Sequence, residues 1–198
     1  MLYTMFENIL KNVSKKITLT EEEQKEFTSL LEVKHFPKKT FLLEEGEISD
    51  FEGYINKGAV RTYYVKEDGS EITLFFAIED WWVGDLVSFT NQIPSQLYIE
   101  TLEDCEIFML SPETKEELLQ NIPKFERFFR LLVQSNLAAL KNRLIGMMAK
   151  SATERYLEFI KLYPTVPQRV PQYCIATYLG VSPEFVSTIR KRLAKKQS

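Results

Sequence analysis

The chain has few of the residues that hold metals, form disulfides or transfer protons near neutral pH. Its 198 residues include two cysteines, Cys105 and Cys174, and one histidine, His35. Two cysteines so far apart in sequence suggest neither a disulfide framework nor a metal cage. Metal-dependent enzymes need clustered histidine and carboxylate ligands, and no glycine-rich phosphate loop or nucleophile–base motif is present. We therefore predict that the protein is not an enzyme and uses no metal and no cofactor.

Long apolar segments are also missing. Hydrophobic residues make up 44% of the chain, which is usual for a globular protein, but no apolar run approaches the length of a membrane span. The first residues, Met1 to Glu7, lack the basic start and apolar core of a signal peptide. The sequence therefore predicts a cytoplasmic protein with no membrane partner.

Charge is distributed unevenly along the chain. Residues 150–198 contain nine lysines and arginines against three acidic residues, a net charge of +6. Because the whole chain has a net charge of −3, residues 1–149 carry −9. A basic segment on an acidic body is the electrostatic pattern of a nucleic-acid-binding module beside a non-binding domain. We interpret the basic segment as the part that binds double-stranded DNA.

The basic segment contains a helix-turn-helix pattern. Ile175 and Leu179 give a first helix its buried stripe. Gly180 supplies the turn, Ser182 is a suitable N-cap and Pro183 suits the first position of the next helix. The inward face of that second helix consists of Val186, Ile189 and Leu193. An ordinary two-helix corner is the alternative, but the turn glycine, the cap and the basic tail together favour a DNA-binding helix-turn-helix.

The outward face of the second helix predicts the DNA contacts. Glu184 can accept from a cytosine amino group, and Ser187 and Thr188 can donate or accept at a base edge. Ser182, at a helix start with free backbone amides, is a phosphate site. Phe185 either packs inward or touches a thymine methyl group. The remaining contacts are cationic side chains expected at phosphates, which position the protein without reading sequence: Arg190, Lys191, Arg192, Lys195 and Lys196.

From about Val33 to Leu110 the sequence changes to short strand-like segments separated by glycine-containing turns. The segment Glu67–Ser70 contains Asp-Gly, which favours the positive φ angles of a hairpin turn. Several short strands with such turns predict a small barrel or roll. Helices are predicted before it, over about 5–14 and after a capping box that begins at Thr20. The predicted fold class is therefore α+β.

A long helix is predicted from about Lys124 to Ala149. Its apolar residues recur at spacings of 4, 3, 4 and 3, a heptad-like seam that suits a paired helix. The seam residues are Val133, Leu137, Leu140, Leu144 and Met147. The aromatic residues at the helix start, Phe125, Phe128 and Phe129, are expected to pack on the protein's own roll. We predict that the seam forms the interface of a homodimer.

These elements divide the chain into three predicted parts. They are the roll with its N-terminal helices (1–111), the linker and dimerisation helix (112–150) and the helix-turn-helix domain (151–198). Ser151 and Glu154 have capping-box spacing and open a new helix, which places a hinge at Lys150 and Ser151. The loop Pro164–Pro171 contains three prolines and predicts a stiff connection to the helix-turn-helix.

A roll, a long helix and a helix-turn-helix in this order resemble the Crp/Fnr family of bacterial transcription regulators. The best local matches are Lys57–Arg61, Trp82–Leu86, Ser151–Leu157 and Ile175–Ser182. The resemblance covers nearly the whole chain. It implies a jelly-roll-like β-roll of the cyclic-nucleotide-binding type, a homodimer on a two-fold DNA site, and an effector in the roll that biases the reading helix. RNA polymerase is a candidate partner. Many members add a β-hairpin wing after the reading helix, and a full wing is not expected here.

The effector pocket that the resemblance implies comprises Gly84, Asp85, Ser95, Gln96, Leu140 and Lys141. Nucleotide-binding members hold the ribose with a Gly-Glu pair, which is Gly84-Asp85 here. They hold the phosphate with an Arg-Ser/Thr pair, which falls on Ser95-Gln96. A phosphate without an arginine loses a bidentate charged contact. We therefore expect a small-molecule effector of unknown identity other than cAMP.

The iron–sulfur sensors of the family need ligands that this sequence does not offer. Iron–sulfur members carry several N-terminal cysteines, and no cysteine precedes Cys105. The predicted function is sequence-specific regulation of transcription by a homodimer on a pseudo-palindromic operator. The alternative is a cyclic-nucleotide-binding regulatory protein that acts through protein contacts. The cationic helix-turn-helix and the altered pocket disfavour that alternative.

Overall fold

The computed structural model describes the backbone of residues 5–197 and the side chains of residues 5–193. It begins with helices α1 (Glu7–Ser14) and α2 (Glu21–Ser29). The strands are β1 (Glu32–Phe36), β2 (Phe41–Leu43), β3 (Glu52–Lys57), β4 (Ala59–Val65), β5 (Glu71–Ile78), β6 (Trp82–Val83), β7 (Tyr98–Thr101) and β8 (Cys105–Leu110). The later helices are α3 (Leu86–Asn91), α4 (Pro112–Asn121), α5 (Lys124–Ala149), α6 (Ala152–Leu162), α7 (Val166–Arg169), α8 (Gln172–Leu179) and α9 (Pro183–Gln197).

The strands form two four-stranded antiparallel sheets, in the orders β1-β8-β3-β6 and β2-β7-β4-β5. Apolar residues of both sheets pack into one core, with Ile55 and Ile107 from the first sheet and Ile99 from the second fully buried. Between β4 and β5, Gly69 has the positive φ of 77° that the Asp-Gly sequence predicted. The predicted α+β fold with a β-roll is confirmed.

A second core joins the N-terminal helices and the start of α5 to the outside of the first sheet. Phe125 packs against Phe27 of α2, with ring centroids 4.6 Å apart. Phe128 and Phe129 both contact the ring of Trp82 on β6, each at 5.7 Å. The aromatic start of the long helix therefore packs on the protein's own roll, as predicted.

The backbone turns sharply between α5 and α6. Lys150 is extended, with φ −114° and ψ 147°, and ends α5. Ser151 then caps α6 by a capping box with Glu154. The loop 164–171, predicted as a stiff connection, contains the short helix α7. Pro167 is compatible with this helix, since it lies in the first turn, where the amide proton that proline lacks would have no partner within the helix.

The helix-turn-helix does not stand away from the roll: the two share a hydrophobic core. Phe76 on β5 is fully buried. Its ring lies 5.9 Å from that of Phe159, 5.8 Å from that of Tyr163 and 5.6 Å from that of Tyr178. Ala59 and Leu102 of the roll belong to the same core. One face of the second sheet is therefore covered by α6 and α8.

Polar contacts join the same surfaces. The Arg169 guanidinium forms salt bridges with Glu79, at 2.7 Å, and Glu103, at 2.6 Å. The hydroxyls of Thr73 on β5 and Thr177 on α8 lie 2.8 Å apart. These contacts hold the C-terminal helices on the roll at both ends of β5.

Arg143 of α5 joins three elements at one point. Its guanidinium donates to the carbonyl oxygens of Leu74 and Thr73 on β5, and to that of Tyr178 on α8 at 2.8 Å. It also lies over the Tyr178 ring, 4.0 Å from the centroid. Among the described residues, no carboxylate forms a salt bridge with Arg143. The long helix, the roll and the first helix of the helix-turn-helix therefore meet at this cation.

Candidate nucleic-acid interface

The turn between α8 and α9 has the geometry that the sequence predicted. Gly180 is left-handed, with φ 66° and ψ 40°. The Val181 amide then donates to the Ala176 carbonyl at 3.0 Å, which closes the end of α8. The Ser182 hydroxyl accepts from the Phe185 amide at 3.3 Å and caps α9, which begins at Pro183. These local bonds fix the direction in which α9 leaves the turn.

The inward face of the helix-turn-helix is also as predicted. Ile175 and Leu179 of α8 are buried together with Val186 and Ile189 of α9, and Leu193 packs against them. The outward face of α9 remains accessible. Its exposed side chains are Glu184, Phe185, Thr188, Lys191 and Arg192. Phe185 is therefore on the outward face, and Ser187 beside it is half-buried.

Glu184, Ser187 and Thr188, the residues predicted to contact DNA bases, are called the reading face, and hydrogen bonds orient their polar groups. The Gln172 amide nitrogen donates to the Pro183 carbonyl at 2.5 Å and to the Ser187 hydroxyl oxygen at 2.7 Å. The Thr188 hydroxyl donates to the Glu184 carbonyl at 3.0 Å. Hydrogen bonds from its own backbone amide and from the Ser182 hydroxyl lower the pKa of the Glu184 carboxyl. Glu184 therefore presents an ionised acceptor at neutral pH.

Arg190 differs from the other cations predicted to contact phosphates. Its half-buried guanidinium donates to the Tyr156 hydroxyl at 3.1 Å and to the Pro167 carbonyl at 3.1 Å. It thereby ties α9 to α6 and α7. The sequence held the signal, since Arg190 is four residues after the inward Val186 and three before Leu193. We therefore reassign Arg190 from the phosphate contacts to a bond that orients the helix.

Of the other cations predicted to contact phosphates, two have side chains among the described residues. Lys191 and Arg192 have exposed side chains on α9. The side chains of Lys195 and Lys196 lie outside the described residues. Gln172, which was not among the predicted site residues, begins α8 and donates hydrogen bonds to Pro183 and Ser187 of α9. No periodicity or cap signal could have found it, because its role depends on the crossing of two helices.

The predicted effector pocket is partly closed by its own residues. The Asp85 carboxylate caps α3, since one oxygen accepts from the Val87 amide at 3.0 Å and the Ser88 amide at 3.3 Å. Its other oxygen accepts from the Ser95 hydroxyl at 2.7 Å. Asp85 and Ser95 are both buried. The carboxylate expected to meet a ribose is therefore occupied by bonds within the roll.

The other pocket residues do not join this group. Gln96 is exposed on the surface, and so are Leu140 and Lys141 on α5. The buried arginine of β4, Arg61, is held by Glu71 and Glu100, with N–O distances of 2.5 and 2.8 Å. The structure thus brings together Gly84, Asp85 and Ser95, but not the rest of the predicted pocket.

The predicted dimer seam forms an exposed apolar stripe on α5. Its members are exposed by 41% to 64%: Val133, Leu137, Leu140, Leu144 and Met147. Ile145 and Met148, exposed by 49% and 82%, widen the stripe. Among residues 5–197, no helix has the length and apolarity needed to cross a bilayer. A contiguous exposed apolar stripe of this kind is typical of a surface that contacts another protein.

Comparison with known proteins identifies the roll. Residues 33–122 match the family model of the cyclic nucleotide-binding domain. The chain is 26% identical over 97 residues to the cAMP-activated global transcriptional regulator CRP of Salmonella typhimurium. That match covers 49% of this chain and 46% of CRP, so the chain spans about half the length of the curated relatives it matches.

Solved structures extend the similarity beyond the roll. The c-di-GMP-responsive global regulator CLP of Xanthomonas campestris has a TM-score of 0.70 and 18% identity, covering 90% of this chain and 93% of CLP. FixK2 of Bradyrhizobium japonicum has a TM-score of 0.71 and 19% identity, covering 84% of this chain and 86% of FixK2. A Crp/Fnr-family structure from Eubacterium rectale has a TM-score of 0.64 and 18% identity, covering 90% and 85%. The fold that the sequence resemblance implied is the fold observed.

Proposed function

We propose that the protein is a DNA-binding regulator of transcription, because residues 33–122 match the cyclic nucleotide-binding domain and about 90% of the chain shares the fold of CLP and of the Crp/Fnr-family structure. It acts in the cytoplasm as a homodimer on a two-fold operator, with RNA polymerase as a candidate partner. The observation that carries this proposal is the position of α9. The roll and α6 cover the inner side of the helix-turn-helix, while Glu184, Thr188 and Lys191 remain exposed.

The homodimer is supported by the apolar stripe on α5. In a monomer, the side chains of Leu137 and Leu144 would be more than half exposed to water. Pairing of two seams removes that apolar surface from water, which stabilises the dimer by about 25 cal/mol for each Å² buried. Two dimer-related reading helices would then enter successive major grooves about 34 Å apart.

Sedimentation analysis tests the dimer. The double change Leu137→Glu with Leu144→Glu places two charges on the seam and should give monomers at micromolar concentration. Leu157→Glu is the matched control, because Leu157 is also an exposed leucine, 42% accessible, but lies on α6. A wild-type protein that sediments as a monomer at micromolar concentration would contradict the homodimer.

Selection from random duplexes, followed by titration, tests DNA binding. The wild type should select a pseudo-palindrome. Lys191→Ala should weaken binding to all sequences about equally and reduce the salt dependence by roughly one counterion. Lys161→Ala removes an exposed cation of α6, outside the reading face, and should leave the salt dependence unchanged. A wild-type selection that returns only random sequence would contradict the proposal.

The effector is proposed to be a molecule other than cAMP. The Asp85 carboxylate already accepts three hydrogen bonds, and the segment Gly84–Gln96 contains no cation. Burying a phosphodiester anion without a paired cation costs several kcal/mol, which moves a micromolar affinity to millimolar or weaker. CRP is named as cAMP-activated and CLP as c-di-GMP-responsive, so calorimetry should include both nucleotides. Micromolar binding of cAMP would contradict this part of the proposal.

A further inference from the structure

We propose that two intramolecular hydrogen bonds set the polarity of the reading face: the bond from Gln172 makes Ser187 a donor at the DNA bases, and the bond to the Glu184 carbonyl makes Thr188 an acceptor. A serine or threonine hydroxyl can in general do either, and the sequence alone leaves both roles open. The intramolecular bonds of this helix-turn-helix remove that freedom. The inference rests on the proposed DNA binding and specifies the base chemistry that the reading face selects.

The Pro183 carbonyl fixes the orientation of the Gln172 amide. A carbonyl oxygen only accepts, so the group 2.5 Å from it must be the amide NH₂ of Gln172 and not the amide oxygen. The same nitrogen lies 2.7 Å from the Ser187 hydroxyl oxygen. Because an amide nitrogen has protons to donate and no acceptor capacity, Ser187 must accept this bond. Pro183 therefore determines, through Gln172, which way the Ser187 hydroxyl is used.

The hydroxyl proton of Ser187 is consequently available to donate to a DNA base. Within residues 5–193, no intramolecular acceptor takes it. In the major groove, a donor is satisfied by purine N7, guanine O6 or thymine O4. Ser187 should therefore select a base that presents an acceptor.

Thr188 has the opposite polarity. Its hydroxyl proton is used in the bond to the Glu184 carbonyl, at 3.0 Å, one helical turn earlier. Its oxygen keeps lone pairs on the exposed side of α9. Acceptors in the major groove are satisfied by the amino groups of adenine and cytosine. Thr188 and the Glu184 carboxylate should therefore select bases that present amino groups.

The sharpest test is Gln172→Glu, analysed by selection from random duplexes alongside the wild type. A carboxylate in place of the amide accepts and cannot donate, so it takes the Ser187 proton and leaves the Ser187 oxygen as an acceptor. At one base pair of each half-site, preference should reverse from an acceptor-presenting base to an amino-presenting base. Gln172→Ala and Ser187→Ala should each reduce the wild-type preference at that base pair by about tenfold.

Two further variants separate this effect from charge and from misfolding. Gln168→Glu adds the same charge on α7, where the side chain is exposed and outside the helix-turn-helix. It should weaken all duplexes slightly and change no base preference. Thr188→Val keeps the shape of the side chain and removes its acceptor. It should lose discrimination at a different base pair, which tests the polarity of the face without touching Gln172.

The outcomes distinguish the inference from the proposed function. A wild type that selects no sequence contradicts DNA reading itself, and the inference with it. A wild type with a defined site, together with a folded Gln172→Glu variant that keeps the same preference at every base pair, overturns only the inference. If Gln172→Glu unfolds, Ser187→Ala and Thr188→Val decide the matter, since unchanged preference in both overturns it equally.

Discussion

Replacing Phe76 with alanine should release the C-terminal helices from the roll before the roll itself unfolds. Phe76 is fully buried in the core that the two parts share, and its ring contacts those of Phe159, Tyr163 and Tyr178. Removing a buried phenylalanine typically costs about 3–5 kcal/mol, because transfer free energy is lost and a cavity remains. The lost free energy comes from the contact between the roll and the C-terminal helices, because the three partner rings belong to α6, to the residue that follows it and to α8.

That magnitude is large against the usual stability of a domain, about 5–15 kcal/mol. We expect the wild type to melt in one calorimetric transition, because α6 and α8 bury their aromatic face only against the roll. Phe76→Ala should show a separate, lower transition. In hydrogen–deuterium exchange, protection should fall selectively over residues 152–179.

Phe108→Ala is the matched control for this prediction. Phe108 is equally buried, but it packs in the other core, 5.0 Å from the Phe6 ring and 6.1 Å from the Tyr54 ring. It should destabilise the roll and α1 without selective exchange over residues 152–179. The reasoning is refuted if Phe76→Ala changes exchange uniformly, or if it costs less than about 1 kcal/mol, since a shared core could not then depend on Phe76.

Two further predictions concern an ion pair and a turn. Burial raises the pKa of Glu79, but hydrogen bonds from Arg169 and the Gly58 amide outweigh it and hold that pKa below its ordinary value of 4.5. The ion pair therefore stabilises the folded state fully above about pH 4.5, and this stabilisation is lost as the pH falls through the lowered pKa of Glu79. Arg169→Met should cost about 1 kcal/mol or less of unfolding free energy at pH 7 and should make stability fall less steeply with pH in acid. An equally steep fall in the variant would contradict this. Gly58→Ala should cost more than Gly46→Ala in chemical denaturation: both glycines have positive φ, but only at Gly58 would a Cβ meet other atoms, 2.5 Å from the Cys105 sulfur. Equal costs would mean that the backbone at Asp104 and Cys105, which a Cβ at Gly58 would also meet, moves aside freely.

Features encoded by neighbouring residues could be predicted from the sequence. Gly180, Ser182 and Pro183 defined the turn of the helix-turn-helix because caps and positive φ angles depend on a few adjacent residues. The bounds of α5 followed in the same way from Pro123 before it and from the capping box at Ser151 after it. By contrast, α3 was not predicted. Its six residues contain no clear period, and its cap, Asp85, was interpreted as a ligand for a ribose.

Contacts between distant surfaces could not be predicted. Periodicity states which face of a helix is buried but not which surface covers it. The pairing of Arg169 with Glu79 joins residues 90 positions apart, and the role of Gln172 depends on how α8 crosses α9. Residues 1–111 and 151–198 were therefore predicted as separate parts, whereas in the structure they share a core. The boundaries of those parts remain a prediction.

The shared core also bears on how the chain acquires its structure during synthesis. The contact between Thr73 and Thr177 joins residues 104 positions apart, so β5 leaves the ribosome long before α8 exists. At translation rates of about 5–20 residues per second, the roll has several seconds in which its docking face, including Phe76, has nothing to cover it. An uncovered apolar sheet face is a site for association between nascent chains. Completion of α6 and α8 therefore also protects the roll on which they pack, and chains truncated before α6 should be the form that aggregates.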